Sequence, residues 1–291
     1  MTALGIALVL TSAVLHALWN FLVKRSGASG VAFTWLFRLP AVILLAPVAI
    51  LLSRRDGFSL SLTTLLWLLG SAVIHIGYFM VLQRGYQRGD LSVVYPVARG
   101  SGPLLATIAA VVLLGERPTF LASLGALVIV GGTLWLAIQT LRTGASSPKH
   151  HVPESIAYGL AVGAFIGVYT IWDKHIVTTL QVPPVTLEWA LSVSIAALLT
   201  PAALADRRGL ADTWRRHRWI AVIIALLSSA SYILFLTALR VLPVSRAAPL
   251  RESSVLVGTL LGVHLLAEGN LASRIAAATA ILLGIVLLSV G

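Results

Sequence analysis

Long apolar stretches alternate with short polar or basic connections along the whole chain. Each stretch holds about 20 residues, enough for a helix rising 1.5 Å per residue to cross a hydrocarbon layer about 30 Å thick. The stretches lack the one-sided apolar stripe that is typical of core helices in soluble proteins. The pattern therefore predicts an all-α membrane protein. Ten transmembrane helices are predicted, at 3–23, 30–52, 62–83, 91–114, 118–140, 155–173, 183–205, 218–239, 245–267 and 270–290.

Composition supports this prediction and excludes several classes of protein. Only 11% of the 291 residues are charged and 58% are hydrophobic, whereas a soluble domain carries roughly a quarter charged residues. The net charge of +11 comes from basic residues that flank the apolar stretches. These residues are interpreted as setting the orientation of the protein in the membrane. No nucleic-acid partner is predicted. The absence of cysteine excludes thiolate catalysis and Cys-bound metals. The pair His150-His151 is too sparse for zinc, so no metal and no cofactor are predicted.

An internal repeat divides the chain into two related halves. A shift of 152 to 154 residues aligns residue types that chance would hardly match in two apolar sequences. The predicted organisation is a first five-span repeat over 1–142, a linker rich in Ser, Pro, Gly and His over 143–154, and a second five-span repeat over 155–291. The aligned pairs include Trp19 with Trp172, Trp35 with Trp189, Pro96 with Pro249, Arg99 near Arg251, Ser101 with Ser254 and Glu116 with Glu268.

The odd number of spans in each repeat determines their relative orientation. Two consecutive five-span units enter the membrane in opposite directions, which predicts two inverted five-helix repeats. Transporters with inverted repeats bind substrate in a central cavity near the membrane midplane and work by alternating access. Ten spans place both termini on one side, where the connections carry six Lys and Arg residues against twelve on the opposite side. The positive-inside rule thus favours both termini outside the cytoplasm.

Three segments carry a resemblance to a known family. The first span (SAVLHALWNFLVK), the fourth (YPVARGSGPLLATIAAVVLLGE) and the ninth (APLRESSVLVGTLLGVHLLAE) resemble the drug/metabolite transporter superfamily. More narrowly, the chain is similar to its EamA-type ten-helix transporters, which include bacterial amino-acid exporters. The resemblance implies a cavity lined by the first, third and fourth spans of each half, and a multi-pass protein of the bacterial cell inner membrane. It also implies both termini in the cytoplasm, in conflict with the charge count.

One departure from the superfamily concerns coupling. Small four-span relatives carry an ionised Glu in the first span that binds cationic drugs and protons. The corresponding polar residues here are His16 and Asn20 in the first span, and Tyr169 and Asp173 in the sixth. Proton-for-cation exchange through a Glu at that position is therefore not predicted.

Charged residues inside the predicted spans are the first candidates for function. Because a charge within the bilayer is costly, Arg38, Arg99 and Arg251 are expected to face a cavity or a partner. Arg99 and Arg251 each follow a proline by two or three residues, where a helix bends. Their guanidinium groups could bind a substrate carboxylate. Alternatively, one of them pairs with Glu252 across the repeat interface.

Glu252 is the only acid placed near the middle of a predicted span. It is a candidate for contact with a substrate amine or for a proton relay, with a purely structural role as the alternative. Adjacent helical residues point about 100° apart, so Arg251 and Glu252 cannot both face the centre of the cavity.

Aromatic and histidine side chains recur at helical spacing and predict a weakly polar lining suited to an amphipathic solute. The alternatives are interfacial anchoring for Trp19 and Trp172, and helix-to-helix hydrogen bonding for His16 and His75. Two GxxxG pairs, Gly163 with Gly167 and Gly258 with Gly262, predict close helix approach. The predicted substrate-binding residues are His16, Trp19, His75, Tyr78, Arg99, Tyr169, Trp172, Tyr232, Arg251 and Glu252.

These features predict a secondary transporter that exports small amphipathic metabolites, principally amino acids, by alternating access. The alternatives are import of carboxylate metabolites or nucleotide sugars, and, less favoured, a channel or an intramembrane enzyme. The sequence contains neither a nucleotide-binding P-loop nor an HExxH motif, so the chain is not expected to be an enzyme. The expected partners are a small-molecule substrate and the lipid bilayer, and the expected state is a monomer.

Overall fold

The computed structural model describes residues 2–28, 30–58, 60–88, 91–142, 152–257 and 271–291. Within these residues all regular structure is helical. The helices are α1 Ala3–Ser26, α2 Gly30–Arg55, α3 Leu62–Arg88, α4 Leu91–Leu113, α5 Phe120–Arg142, α6 Val152–Thr178, α7 Pro184–Ala205, α8 Arg207–Leu239, α9 Val244–Arg251 and α10 Leu271–Val290.

Seven of the described helices are long and apolar enough to cross a membrane: α1, α2, α3, α4, α6, α7 and α8. Shorter apolar segments lie in α5 (Phe120–Trp135) and in α10 (Thr279–Val290). The predicted ninth span extends into residues outside the described part, and the second GxxxG pair and most of the linker over 143–154 lie outside it. The number of spans is thus at least seven by length and composition, and ten remains a prediction.

Helix α8 begins well before its predicted span. The sequence placed that span at 218–239, but α8 starts at Arg207 and runs for 33 residues. Asp206 caps the helix by accepting a hydrogen bond from the Gly209 backbone N–H at 2.9 Å, which satisfies one of the open donors of the first turn. The basic segment before residue 218, which the hydropathy pattern placed in a connection, is therefore a helical extension of the span. Most of its residues are exposed.

Helix α9 is interrupted where its repeat counterpart α4 is continuous. It ends at Arg251, Glu252 forms a turn, and residues 253–257 are helical again. The Glu252 backbone N–H bonds to the Pro249 carbonyl at 3.0 Å, a three-residue spacing that tightens the chain locally. Pro249 has no N–H to donate to the preceding turn. Two charged residues, Arg251 and Glu252, thus lie at the interruption of the helix.

Contacts between the two halves come in matched sets. In the repeat, α1 corresponds to α6, α2 to α7 and α3 to α8. Helix α1 packs on α8, and the corresponding pair α6 and α3 packs in the same way. Helix α2 packs on α8, and its counterpart α7 packs on α3. Likewise α4 packs on α6, and α9 on α1. Three further contacts join a helix to its own repeat counterpart: α2 with α7, α4 with α9 and α5 with α10. This is the pattern of two structural repeats related by an approximate two-fold axis.

Glu116 ties the first half to the second. It follows α4, and its carboxylate accepts hydrogen bonds from the backbone N–H groups of Val244 (2.7 Å) and Ser245 (2.9 Å). These are open donors at the first turn of α9, where a negative charge is favourable. The repeat counterpart of Glu116, Glu268, lies outside the described residues.

The GxxxG pair of α6 lies against α4, as close helix approach requires. A Cβ atom on Gly163 would overlap the hydroxyl of Ser101, and one on Gly167 would lie 3.2 Å from the Ala106 backbone nitrogen. The absence of side chains at these two positions therefore brings the helices of opposite halves together.

Replacing Gly163 with valine is expected to lower the stability of the folded protein by about 1–3 kcal/mol, because an overfilled contact forces α4 and α6 apart. Thermal unfolding in detergent, followed by tryptophan fluorescence, measures this effect. Gly131→Val is the matched control, since a Cβ atom on Gly131 meets nothing within 4 Å. Equal melting temperatures for the two variants would contradict the assigned contact.

Candidate functional site

Helices α4 and α9 meet at two opposite charges. Arg99 Nη2 lies 3.1 Å from Glu252 Oε2 and donates a hydrogen bond to Ser254 Oγ at 3.0 Å. The Glu252 side chain is only 4% exposed. The shift of 153 residues that aligns Pro96 with Pro249 also aligns Arg99 with Glu252. The ion pair thus joins equivalent positions of the two repeats, which is the internal pairing that the sequence left open for Arg99.

Arg251 has a different environment from Arg99. Its guanidinium carbon lies 4.3 Å from the centre of the Phe235 ring and 5.6 Å from that of Tyr232, both on α8. Within the described residues no carboxylate oxygen lies within the 4.0 Å ion-pair distance of Arg251. The side chain is partly exposed although it lies among helices of both halves. A planar cation held on aromatic faces in this way is suited to binding a carboxylate in bidentate fashion.

Asp173 forms a second polar centre, built from three helices. This α6 residue is completely buried. Its carboxylate accepts hydrogen bonds from Ser71 Oγ of α3 and from the Tyr232 hydroxyl of α8, each at 2.5 Å. His75 Nε2 lies 3.7 Å from the Asp173 Oδ2 atom. Buried charges require such partners, because an unpaired carboxylate in an apolar interior is strongly unfavourable.

Four predicted lining residues form a continuous aromatic group beside this centre. His75 stacks on Tyr169 with ring centroids 4.5 Å apart, and Tyr78 meets the edge of Tyr169 at 5.8 Å. The ring of Tyr232 lies edge-on to His75 at 5.9 Å. All four side chains are partly exposed. The structure therefore brings His75, Tyr78, Tyr169 and Tyr232 together, while their role in binding stays a prediction.

The remaining predicted residues divide into two sets. His16 interacts electrostatically with both Arg99 and Arg251, so it belongs to the charged centre. Trp19 meets the edge of His16 at 5.2 Å but packs into an apolar cluster with residues of α2 and α8. The Trp172 ring packs at a tilt against the Trp67 ring, with centroids 4.1 Å apart, and its Nε1–H donates to the Trp67 carbonyl at 2.9 Å. The two tryptophans thus make packing contacts at the margins of the site.

The sequence reasoning missed the role of Glu188. This residue is 3% exposed near the start of α7, and its Oε1 atom lies 3.4 Å from Arg38 Nη1 of α2. Ser192 and Ser229 donate to the same oxygen at 3.3 and 2.9 Å. Glu188 is therefore the oppositely charged partner that Arg38 needs, because Arg38 lies inside a predicted span. The sequence signal that could have identified this contact is an acidic residue, Glu188, with Ser192 one helical turn later, both inside an apolar segment.

A cavity of about 420 Å³ lies between α2, α3 and α7. It is predominantly apolar, and none of the ten predicted binding residues lines it. Its walls include Ala49, Ser53, Phe58, Leu68, Thr186, Trp189 and Val193. It is thus separate from both polar centres.

The fold and the buried charges define a multi-pass helical membrane protein with two structural repeats. The model of the EamA-like transporter family matches residues 3–138 and 154–290, one match for each repeat. The chain belongs to the EamA-like transporter family. The resemblance inferred from the sequence is therefore confirmed.

The fold has a close counterpart among solved structures. One of them, described as "Crystal structure of protein", superposes with a TM-score of 0.78 at 18% sequence identity, covering 100% of this chain and 98% of that chain. At this level of identity the match shows the shared fold alone. A comparison with curated proteins gave no match.

Proposed function

We propose that the chain is a secondary transporter that exports small amphipathic metabolites, most notably amino acids, by alternating access. The observation that carries this proposal is the position of Arg251. It lies at the interruption of α9, beside the Arg99–Glu252 ion pair, with its guanidinium group on the Phe235 and Tyr232 rings. The family match to transporters supports the class.

The geometry around Arg251 suits a zwitterion. A substrate carboxylate would bind the guanidinium group, because Glu252 is already engaged by Arg99. The substrate ammonium would then face the rings of Tyr169 and Tyr232, which attract cations, with the Asp173 carboxylate behind them. Opposite charges at separate ends of an aromatic site match the charge distribution of an amino acid.

The proposed architecture is ten spans in two inverted repeats around a central cavity. The constant shift of about 153 residues and the matched contacts between the halves support it. Rocking of one repeat against the other would open the site to each side in turn. We further propose a monomer in the bacterial inner membrane, for which the family resemblance favours both termini in the cytoplasm.

Import of carboxylate metabolites or nucleotide sugars is the second candidate function. It is favoured by one observation: both Arg99 and Arg251 act electrostatically on His16, so two cations lie near one point of the interior. An acidic solute would bind Arg251 and would also be attracted by Arg99, whose charge Glu252 offsets in part, whereas a zwitterion needs one cation.

Reconstitution of the unmodified protein tests these candidates. Thermal-shift measurements against amino acids, sugars and nucleotides select the solute class, and counterflow in proteoliposomes then measures exchange of a labelled solute of that class. We expect amino acids to raise the melting temperature and to exchange, with protein-free liposomes as the control. Exchange confined to nucleotide sugars or dicarboxylates would support the second candidate. Absence of exchange for every class would overturn the transporter proposal.

A further inference from the structure

We propose that Asp173, His75 and Tyr232 form a proton-binding site, and that a proton there competes with the ammonium group of the transported solute. This inference rests on the proposed function and supplies its driving ion. The three side chains come from α6, α3 and α8, so the site joins both halves of the chain.

The geometry leaves two neighbouring atoms, His75 Nε2 and Asp173 Oδ2, that can share one proton. His75 Nδ1 lies 2.9 Å from the Ser71 carbonyl, an acceptor only, so Nδ1 carries the ring hydrogen. His75 Nε2 is then the basic nitrogen, and it faces the Tyr232 hydroxyl at 3.4 Å and Asp173 Oδ2 at 3.7 Å. An arriving proton binds either His75 Nε2 or Asp173 Oδ2. One N–H or O–H bond forms, no bond between heavy atoms breaks and no electron is transferred.

The surrounding charges single out this site. Arg38 of α2 is paired with Glu188 of α7, and Arg99 of α4 is paired with Glu252. Each pair is neutral as a unit. Among the described residues, the groups that are left are Arg251 at the end of α9, the Asp173 carboxylate, and the uncharged His16, Tyr169 and Tyr232 side chains. A proton added to the Asp173–His75 pair therefore changes the net charge of the site from zero to +1.

Tyr232 connects the proton site to the solute site. Its hydroxyl donates to Asp173 at 2.5 Å, and its ring lies 5.6 Å from the Arg251 guanidinium carbon. A solute whose carboxylate binds Arg251 places its ammonium near this ring, where the negative charge of Asp173 stabilises it. Protonation removes that stabilisation. Proton and solute then bind alternately, which is the requirement for exporting a solute in exchange for entering protons.

The first experiment needs no solute. Infrared difference spectra of purified protein between neutral and acidic buffer are expected to show a carboxyl or imidazolium band that is lost in Asp173→Asn. Glu188→Gln is the matched control, because Glu188 is also buried but contacts Arg38, Ser192 and Ser229 instead of His75, so the band persists. A difference spectrum of Asp173→Asn that matches that of the unmodified protein would overturn the proposal.

The second experiment tests coupling in proteoliposomes, with the amino acid that gives the largest thermal shift as the probe. We expect a pH gradient to drive accumulation by the unmodified protein. Asp173→Asn should exchange solute without the gradient at reduced affinity, because the ammonium loses the nearby negative charge, and its ratio of gradient-driven uptake to counterflow should fall by about tenfold or more. If Asp173→Asn does not fold, His75→Gln, which replaces the titrating ring by an amide, is expected to give the same selective loss.

The two proposals fail in different ways. Absence of counterflow in the unmodified protein would overturn the transporter function. Counterflow with no response to a pH gradient, or with an equal response in Asp173→Asn, would overturn only the proton site. A response to a sodium gradient in place of the pH gradient would likewise overturn it.

Discussion

Replacing Arg99 with alanine is expected to produce the largest loss of stability of any single substitution at the polar centres. The Glu252 carboxylate, 4% exposed and 3.1 Å from the guanidinium group, would lose its cation without gaining access to water. Removing one partner of a buried ion pair typically costs about 3–5 kcal/mol, because the other charge stays buried. Thermal unfolding of the purified protein in detergent measures this loss.

The equivalence of the two positions in the repeats allows a sharper test by exchanging the charges. The double variant Arg99→Glu with Glu252→Arg should recover much of the stability that either single reversal loses, because opposite charges again face each other. Arg246→Ala is the matched control: Arg246 donates one hydrogen bond to the Gly291 carbonyl at 2.9 Å, so its loss should cost about 1 kcal/mol. No recovery in the double variant would show that the two charges act independently.

Replacing Arg251 with glutamine is expected to abolish most carboxylate transport with little loss of stability. No carboxylate within the described residues depends on Arg251, so its removal leaves no orphaned charge. A hydrogen bond to a charged group contributes about 1.5–3 kcal/mol, so solute affinity should fall by about tenfold or more. Counterflow rates at varied solute concentration measure the change.

Arg251→Lys separates charge from geometry. Lysine keeps the positive charge but lacks the planar fork that binds both carboxylate oxygens, so intermediate affinity is expected. Arg240→Gln is the control, because the exposed Arg240 side chain donates to Gln181 Oε1 at 2.7 Å, away from the predicted binding residues. Unchanged affinity for a carboxylate solute in Arg251→Gln would refute the anion-binding role, while a preserved melting temperature would show that the fold is intact.

Much of the fold was predictable because membrane helices are encoded locally. Apolar length placed α1 and α7 within a few residues of their observed bounds. The start of α8 was missed because its first turns are basic and polar, and hydropathy ends a span where charge begins. The helix nevertheless continues through these residues, since Asp206 caps it at the interface.

The site was only partly predictable, because its decisive contacts join residues far apart in sequence. Arg251, Tyr169 and Tyr232 were predicted from charge and helical spacing, and the structure places them near one another. The partner of Arg38 was not, since Glu188 lies 150 residues away and no local pattern connects them. Asp173 was placed at the last residue of its predicted span, where an acid is expected to reach water. Helix α6 continues to Thr178 instead, and the carboxylate is buried among hydroxyl groups.

The meeting of Arg99 and Glu252 at matching positions constrains how such a chain arises. In a symmetric dimer of identical five-helix subunits, a residue on the rotation axis faces its own copy, so any charge there repels itself. Once the sequence is duplicated, each copy can change alone, and one position can become basic while its twin becomes acidic. The Arg99–Glu252 pair is therefore a mark of divergence between the two copies. A chain cut at the 143–151 segment would need both unlike fragments to restore it.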